Sequence, residues 1–332
     1  MKLLNNRWIT CLMAILFIIL DIFILLSYSN NSVIILSLII LFNIILFYNV
    51  IIELYVALIF MPPGRRKSSI DNLNWTHNRL KHDGPEIYFL SKIKNEKAPL
   101  MVMVHGWRSS SKSLEQRANL YLELGYHVII MELPGHGNAE SVSKWNAGIS
   151  TQNLLFLMDN LESYIDAKLI SKIYFHGHSI GGFILIKFSK EFTNSKSNEL
   201  IEGYILESPM TCYSEIYNEF CDKMLVPRLF RSLLWKRLSF HFNSLNLNFD
   251  KIKDLQDVDV PQWGVPDVNT LVVQAENDKT LGMGHYNRLV ESFKQSNKSH
   301  LLTNIVIKGL THSGARENED RDLVISNWLE DL

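Results

Sequence analysis

Apolar residues follow two regimes along this chain. Up to residue 61 they are nearly continuous: Trp8 to Leu26 and Val33 to Met61 are interrupted chiefly by Asp21, Asn43, Asn49 and Glu53. About 20 residues at 1.5 Å each cross a hydrocarbon layer of roughly 30 Å, so both stretches can span a membrane as helices. The spans are expected at about 8–27 and 33–61, joined by the polar turn Tyr28-Ser-Asn-Asn-Ser32 and ended by Pro62-Pro63-Gly64. From Glu86 onward short apolar runs take over: Glu86–Ser91, Pro99–His105, His127–Met131, Gly203–Glu207, Thr270–Gln274 and Asn304–Ile307. Such runs are strands, the longer ones buried on both faces, and helical patterns at Leu114–Leu124, Ser150–Tyr164, Thr280–Lys298 and Asp320–Leu332 alternate with them. The alternation predicts an α/β fold with a mainly parallel sheet flanked by helices. The chain then divides into a two-helix membrane anchor (1–64), a juxtamembrane linker (65–85) and one α/β domain (86–332).

A carboxylate in the middle of a spanning helix costs about 2.5–3.5 kcal/mol on insertion scales. Asp21, Asn43, Asn49 and Glu53 are therefore expected to face one another, another chain or the interface. They read as hairpin packing rather than an intramembrane site. The first stretch is long for a cleaved signal peptide, lacks a small-x-small site after it, and is followed at once by a second span. Lys2 and Arg7 precede the first span and Arg65-Arg66-Lys67 follow the second. The positive-inside rule then predicts a multi-pass membrane protein with its α/β domain in the cytoplasm. With 33 basic and 34 acidic residues the net charge is −1, which gives no reason to expect nucleic acid as a partner. Cys11, Cys212 and Cys221 have no CxxC spacing, so neither a zinc site nor a disulfide framework is expected.

The chemistry gathers at Tyr174-Phe-His-Gly-His-Ser-Ile-Gly-Gly182, between the strand run Ile173–Phe175 and the apolar helix that starts near Phe183. A serine between strand and helix, with glycine two residues before and two after, matches a nucleophile elbow. Gly177 and Gly181 leave room for neighbouring backbone, Ser179 Oγ is exposed at the strand tip, and the Ile180 N–H lies at a helix N-terminus that favours an oxyanion. His176 and His178 could be a two-ligand metal fragment but have no third ligand nearby, so they read as scaffolding. His136, in Leu133-Pro-Gly-His-Gly137, reads as part of a tight turn rather than a base. No metal set, nucleotide loop or cofactor fingerprint is present, and no cofactor is expected.

Together with His105-Gly106, Pro134-Gly-His-Gly137 and two late loops, these residues resemble the α/β-hydrolase superfamily over about residues 86–332. The likeness is greatest to its lysophospholipase and monoacylglycerol-lipase-like group, the serine aminopeptidase S33-like hydrolases. The resemblance implies a catalytic order of Ser, then Asp or Glu, then His. It makes Asp278, in Ala275-Glu-Asn-Asp-Lys-Thr280, the acid, with Glu276 and Glu207 as rivals. His312, the histidine after the last strand, is then the base. The Trp107 N–H, in His105-Gly-Trp-Arg108, becomes the second oxyanion donor, and His105, Gly106, Gly177, His178 and Gly181 the scaffold. The same likeness makes about 209–269 a helical cap, in which Leu225, Val226, Leu229, Phe230, Leu233 and Leu234 fall on one side of a helix begun by Pro227.

The implied function is a membrane-anchored serine esterase acting on a small-molecule or lipid ester, with the bilayer as partner. A peptidase, an amidase, an acyltransferase and a non-catalytic membrane scaffold are the alternatives.

Overall fold

The computed structural model describes residues 7–27, 33–64, 66–192, 199–312 and 317–332. The expected turn Tyr28–Ser32, the cations Lys2 and Arg65, and Gly314 after the candidate base lie outside them. The chain forms two compact units, one of residues 1–61 with 221–241, the other of 62–220 with 242–332.

In the first unit α1 (Arg7–Ser27) and α2 (Val33–Ile59) pair, with Phe17 edge-on to Phe42. Among the described residues only α2 is long and apolar enough to cross a membrane, where two such spans were expected; the apolar stretch of α1, Ala14–Leu26, is shorter. Asp21 and Asn43 line the same crevice between the two helices. Asn43 and Asn49 each donate a side-chain N–H to the carbonyl four residues back, Ile39 and Ile45. Their amide N–H groups are thus satisfied within α2, while the buried Asn43 Oδ1 has no hydrogen-bond partner among the described residues.

Glu53 has a different answer. It pairs with Arg237 and lies 3.7 Å from His241, both on the long cap helix, while Tyr48 stacks edge-on to Phe230 at 4.6 Å. Ile52 and Val56 of α2, and Phe60 just after it, are buried, whereas Leu16, Phe23, Ile34, Leu38 and Phe47 are exposed.

The second unit is an eight-stranded sheet in the order β1-β2-β4-β3-β5-β6-β7-β8. Its strands are β1 (Thr76–Leu80), β2 (Ile87–Lys92), β3 (Ala98–Val104), β4 (His127–Glu132), β5 (Ile170–His178), β6 (Ile201–Glu207), β7 (Asn269–Ala275) and β8 (Leu302–Ile307). β1 and β2 run antiparallel, and β4, β3, β5, β6, β7 and β8 are mutually parallel. β1 falls inside the stretch expected to be a linker. Its sequence, Thr-His-Asn-Arg-Leu, has no apolar alternation because it is an edge strand with only β2 beside it.

Period-two alternation distributes β5 between the two faces. Tyr174 joins the cluster of Tyr121 and Tyr126 with Trp328 and Leu329, while Phe175 packs on Phe188 and stacks with Tyr204. The helices are α3 (Glu115–Glu123), α4 (Ala147–Asp159), α5 (Ile180–Glu191), α8 (Met283–Gln295) and α9 (Glu319–Glu330). Because the parallel strands end on one edge, the segments after β3, β4, β5, β7 and β8 share that edge, which is where open α/β sheets bind ligands.

Between β6 and β7 the chain forms α6 (Tyr213–Lys223) and α7 (Arg228–Leu245). The single apolar face expected for this stretch is divided. Val226 and Leu234 are buried, but Leu225, Leu229 and Leu233 are exposed. The inward ridge runs at four-residue spacing through Val226, Phe230, Leu234 and Leu238, so the neighbouring row of leucines turns outward.

The Glu53–Arg237 pair is partly solvated, and a double-mutant cycle with Glu53→Ala and Arg237→Ala is expected to return a coupling of about 0.5–1 kcal/mol. Thermal unfolding of the four proteins in detergent measures it. Additive effects would show that the pair contributes nothing.

Candidate active site

The strand β5 ends at His178 and the helix α5 begins at Ile180, leaving Ser179 alone to make the turn. Its backbone is at φ 56°, ψ −120°, a conformation that costs a non-glycine residue of order 1–3 kcal/mol. Neighbouring backbone holds it there. Ser179 N–H donates to Glu207 O at 3.0 Å, and Ser179 O accepts from Gly182 N–H at 3.0 Å and Met210 N–H at 3.1 Å. A Cβ at Gly177 would lie 2.6 Å from Gly182 N, and one at Gly181 would collide with the Val104 carbonyl. Both positions are glycine because the turn closes onto its own strand and onto β3.

Ser179, Asp278 and His312 come together although 99 residues separate the first two in sequence order and 34 the last two. Ser179 Oγ lies 2.9 Å from His312 Nε2, and His312 Nδ1 lies 2.7 Å from Asp278 Oδ2. Asp278 Oδ1 accepts the Thr280 and Leu281 N–H groups, each at 2.9 Å. Burial pushes the Asp278 carboxyl up, but His312 and these two N–H donors outweigh it and hold the acid well below its usual range. The carboxyl is thus ionised at neutral pH. Neither rival occupies this position: Glu276 is exposed, and Glu207 faces the other way.

Glu207 is the centre of a buried polar cluster beneath the serine. Arg117 grips it through two hydrogen bonds of 2.6 Å, and Arg321 and His176 lie 3.7 and 3.3 Å away. Tyr121 Oη meets the other ring nitrogen of His176 at 2.6 Å. Burial raises the Glu207 carboxyl, yet Arg117 and His176 bring it well below the usual range. His178 faces elsewhere, donating from Nε2 to the His312 carbonyl at 2.7 Å and so tying the elbow to the loop of the candidate base. A Cβ on Gly106 would press into the His178 ring, so this loop too needs a glycine.

Two further histidines brace the loops after β3 and β4. His105 donates from Nδ1 to Gly106 O at 2.8 Å and accepts the Leu133 N–H at 3.1 Å. His136 bonds to Pro134 O at 3.1 Å and accepts the Arg108 N–H at 3.2 Å. His136 is therefore a brace, consistent with a turn residue. The Trp107 and Ile180 N–H groups have no acceptor among the described residues. The Trp107 ring packs on Trp145 at 4.4 Å and His136 at 5.0 Å.

Sequence reasoning did not single out Glu132, the last residue of β4 and 1% exposed. Its two oxygens accept Ser69 Oγ, Ser111 N–H and Oγ, and Asn138 N–H. A charge closing an apolar run is the one signal it leaves in the sequence.

Residues 95–258 match the family model described as serine aminopeptidase, S33. Among solved structures the chain is similar to an esterase from Pyrococcus furiosus, at 14% identity over 82% of this chain and 97% of that one, TM-score 0.57. It is also similar to Est1E from Butyrivibrio proteoclasticus, at 14% identity over 77% and 98%, TM-score 0.54. An epoxide hydrolase from Vigna radiata matches at 14% identity over 78% and 99%, TM-score 0.51. No curated protein matches the chain in sequence. The α/β unit has the fold of the α/β hydrolases. Likeness at such identity fixes the fold and leaves the reaction to the residues of the site.

Removal from water lowers His105 and His178 to about 4 and His136 to about 3. Their folded values lie below the unfolded value of about 6.5, so the stability they contribute is complete above pH 6.5 and is lost as pH falls toward 4. Unfolding at pH 5 should take up roughly three protons at these rings. Calorimetry at pH 7 and pH 5 in detergent is expected to show a clear fall in Tm; an unchanged Tm would refute the account.

Proposed function

We propose that this protein is a membrane-anchored serine hydrolase that cleaves carboxylic esters, lipid or lysolipid esters foremost. The observation that carries the reading is the continuous hydrogen-bonded chain from Ser179 Oγ through His312 to the ionised Asp278. A serine hydroxyl is a weak nucleophile until a base takes its proton. In the proposed reaction Ser179 Oγ attacks the ester carbonyl as its proton passes to His312 Nε2, and Asp278 steadies the imidazolium. The free Trp107 and Ile180 N–H groups receive the oxyanion, the second with the positive end of α5 behind it. His312 then protonates the departing alkoxide, and water, deprotonated by the same nitrogen, releases the acid.

Anchoring rests on α2 and on the exposed apolar side chains of both N-terminal helices, which have no place in water. In this reading α1 and α2 enter the bilayer as a hairpin, and the cations around it keep the α/β unit on the cytoplasmic side. A bilayer beside the enzyme supplies acyl-chain substrates, which favours a lipid ester. The family description favours a second reading, an amide or peptide bond cleaved by the same residues, with His312 protonating an amine.

A fluorophosphonate probe should label the detergent-solubilised wild type and fail to label Ser179→Ala. Turnover of a p-nitrophenyl acyl ester should fall ~10⁴–10⁶-fold in Ser179→Ala, His312→Ala and Asp278→Ala, least in the last. A folded wild type that neither labels nor turns over the ester would sink the hydrolase reading in favour of a scaffold.

A further inference from the structure

The leucines that α7 turns outward lie in the same compact unit as the two apolar N-terminal helices. Leu225, in the turn between α6 and α7, is 85% exposed, and Leu229 is 79% exposed. Leu233 and Phe240 continue the row, because Leu229, Leu233, Lys236 and Phe240 fall within about 60° of one another at 100° per residue. Arg237 borders the row, with its guanidinium 5.3 Å from the centre of the Phe240 ring. Residues 221–241 carry Lys223, Arg228, Arg231, Lys236 and Arg237 against a single carboxylate, Asp222. In a chain of net charge −1 this is a local excess of cations, and it stands beside a contiguous exposed apolar row.

The length of α2 is a second, independent observation. From Val33 to Phe47 none of its residues is buried, a stretch of about 15 residues or ~22 Å of helix. From Tyr48 onward α7 lies against it: Phe230 on Tyr48, Arg237 on Glu53, and His241 near Glu53 and Phe60. A hydrocarbon layer of roughly 30 Å needs about 20 residues, and tilt only lengthens the requirement. The uncovered stretch is therefore about five residues short. The missing length falls on Tyr48–Ile52 and stops at Glu53, the one charged side chain of α2. The edge of the hydrocarbon then passes level with Glu53 and Arg237, and Phe230 lies about one turn inside it. Because α7 runs beside α2 in the same direction, its N-terminal end is the end that enters, and Leu225, Leu229 and Leu233 are there.

We propose that the segment 224–240 is a second membrane-binding element, seated in the bilayer surface beside α2 with its leucines among the acyl chains and its cations at the phosphates of anionic lipids. The proposal rests on the reading of α2 as a membrane span. Elements that lie in the surface are buried by ~5–10 Å, which matches the ~8 Å by which the uncovered part of α2 falls short. Lysine and arginine stems are long enough to keep their methylenes with the leucines while the charged ends reach the phosphate layer. Lys236 and Arg237, a turn or more further along α7, stand at that layer already. Anionic headgroups complement the excess of cations. A second copy of the chain packed on the same row would bring like charges together, which disfavours it.

Spin labels on single cysteines read the depth, in full-length protein with Cys11→Ser held in nanodiscs of phosphatidylcholine with a minority of phosphatidylglycerol. Cys212 and Cys221 are buried, and the label is directed to exposed positions. Leu229→Cys and Leu233→Cys sit on the row, Leu38→Cys on the uncovered part of α2, and Leu323→Cys on α9 of the other unit. All four side chains are exposed or nearly so, and Tm is expected to be unchanged in each variant. The ratio of oxygen to nickel-chelate collisions should be at least ~3-fold higher at the two α7 positions than on α9, and close to that on α2. Water-like ratios on α7 with a lipid-like ratio on α2 overturn the proposal and leave the span standing. Water-like ratios at all four positions remove the span and the proposal with it. Labels on α7 shielded from both reagents, with spin–spin broadening, would seat a second copy on the row and overturn the proposal as well.

Discussion

Backbone crowding at the end of β5 is the constraint on which the α/β unit depends. Val104 on β3, Gly177 on β5 and Leu206 on β6 stand level in the sheet, so the chain leaves three adjacent strands at one height. Ser179 can hold its strained turn only because α5 returns immediately against β3, and this needs glycine where side chains would collide. The strain is offset by main-chain bonds to Glu207 and Met210, which are themselves placed by β6. One tight turn thus positions a hydroxyl, a helix N-terminus and the start of the cap insertion together.

Around that turn the protein uses two kinds of buried polar group in two ways. Histidines 105, 136 and 178 are kept neutral by removal from water, so each offers a single donor, a single acceptor, or both, in a fixed direction. They act as short struts between loops. Carboxylates at strand ends serve as hubs instead: Glu207 gathers Arg117, Arg321 and His176, and Glu132 gathers two serines and two N–H groups besides. Removing one partner from such a buried pair typically costs 3–5 kcal/mol, because the other charge is left in low dielectric. The hubs stabilise one arrangement of the loops against others.

Much of this was legible from the chain because it is written locally. The elbow needs glycines at fixed spacing, buried strands need continuous apolar runs, and the proposed acid and base stand in loops after strands. Asp278 could be separated from Glu207 and Glu276 only by family likeness, and the hydrogen bond to His312 is what geometry adds. Other features depend on partners far away in sequence. Thr76–Leu80 has no strand pattern because its sole neighbour is β2, and no periodicity marks that Glu132 will hold Ser69 and Ser111. The cap helix shows the same limit: helical spacing puts six apolar residues on one side, but which row turns inward is decided by packing.

Glu53 has a consequence for how the protein can be handled. It looks like an intruder in a hydrophobic helix, yet its partners Arg237 and His241, and the Tyr48 ring against Phe230, belong to a segment almost 200 residues further on. The N-terminal helices are one half of a small folded module whose other half is threaded through the cap insertion. Trimming the chain at Pro62 to obtain a water-soluble enzyme would therefore orphan an arginine, a histidine and a phenylalanine in the piece that is kept. The N-terminal helices are not a detachable handle but the larger part of the unit to which residues 221–241 belong.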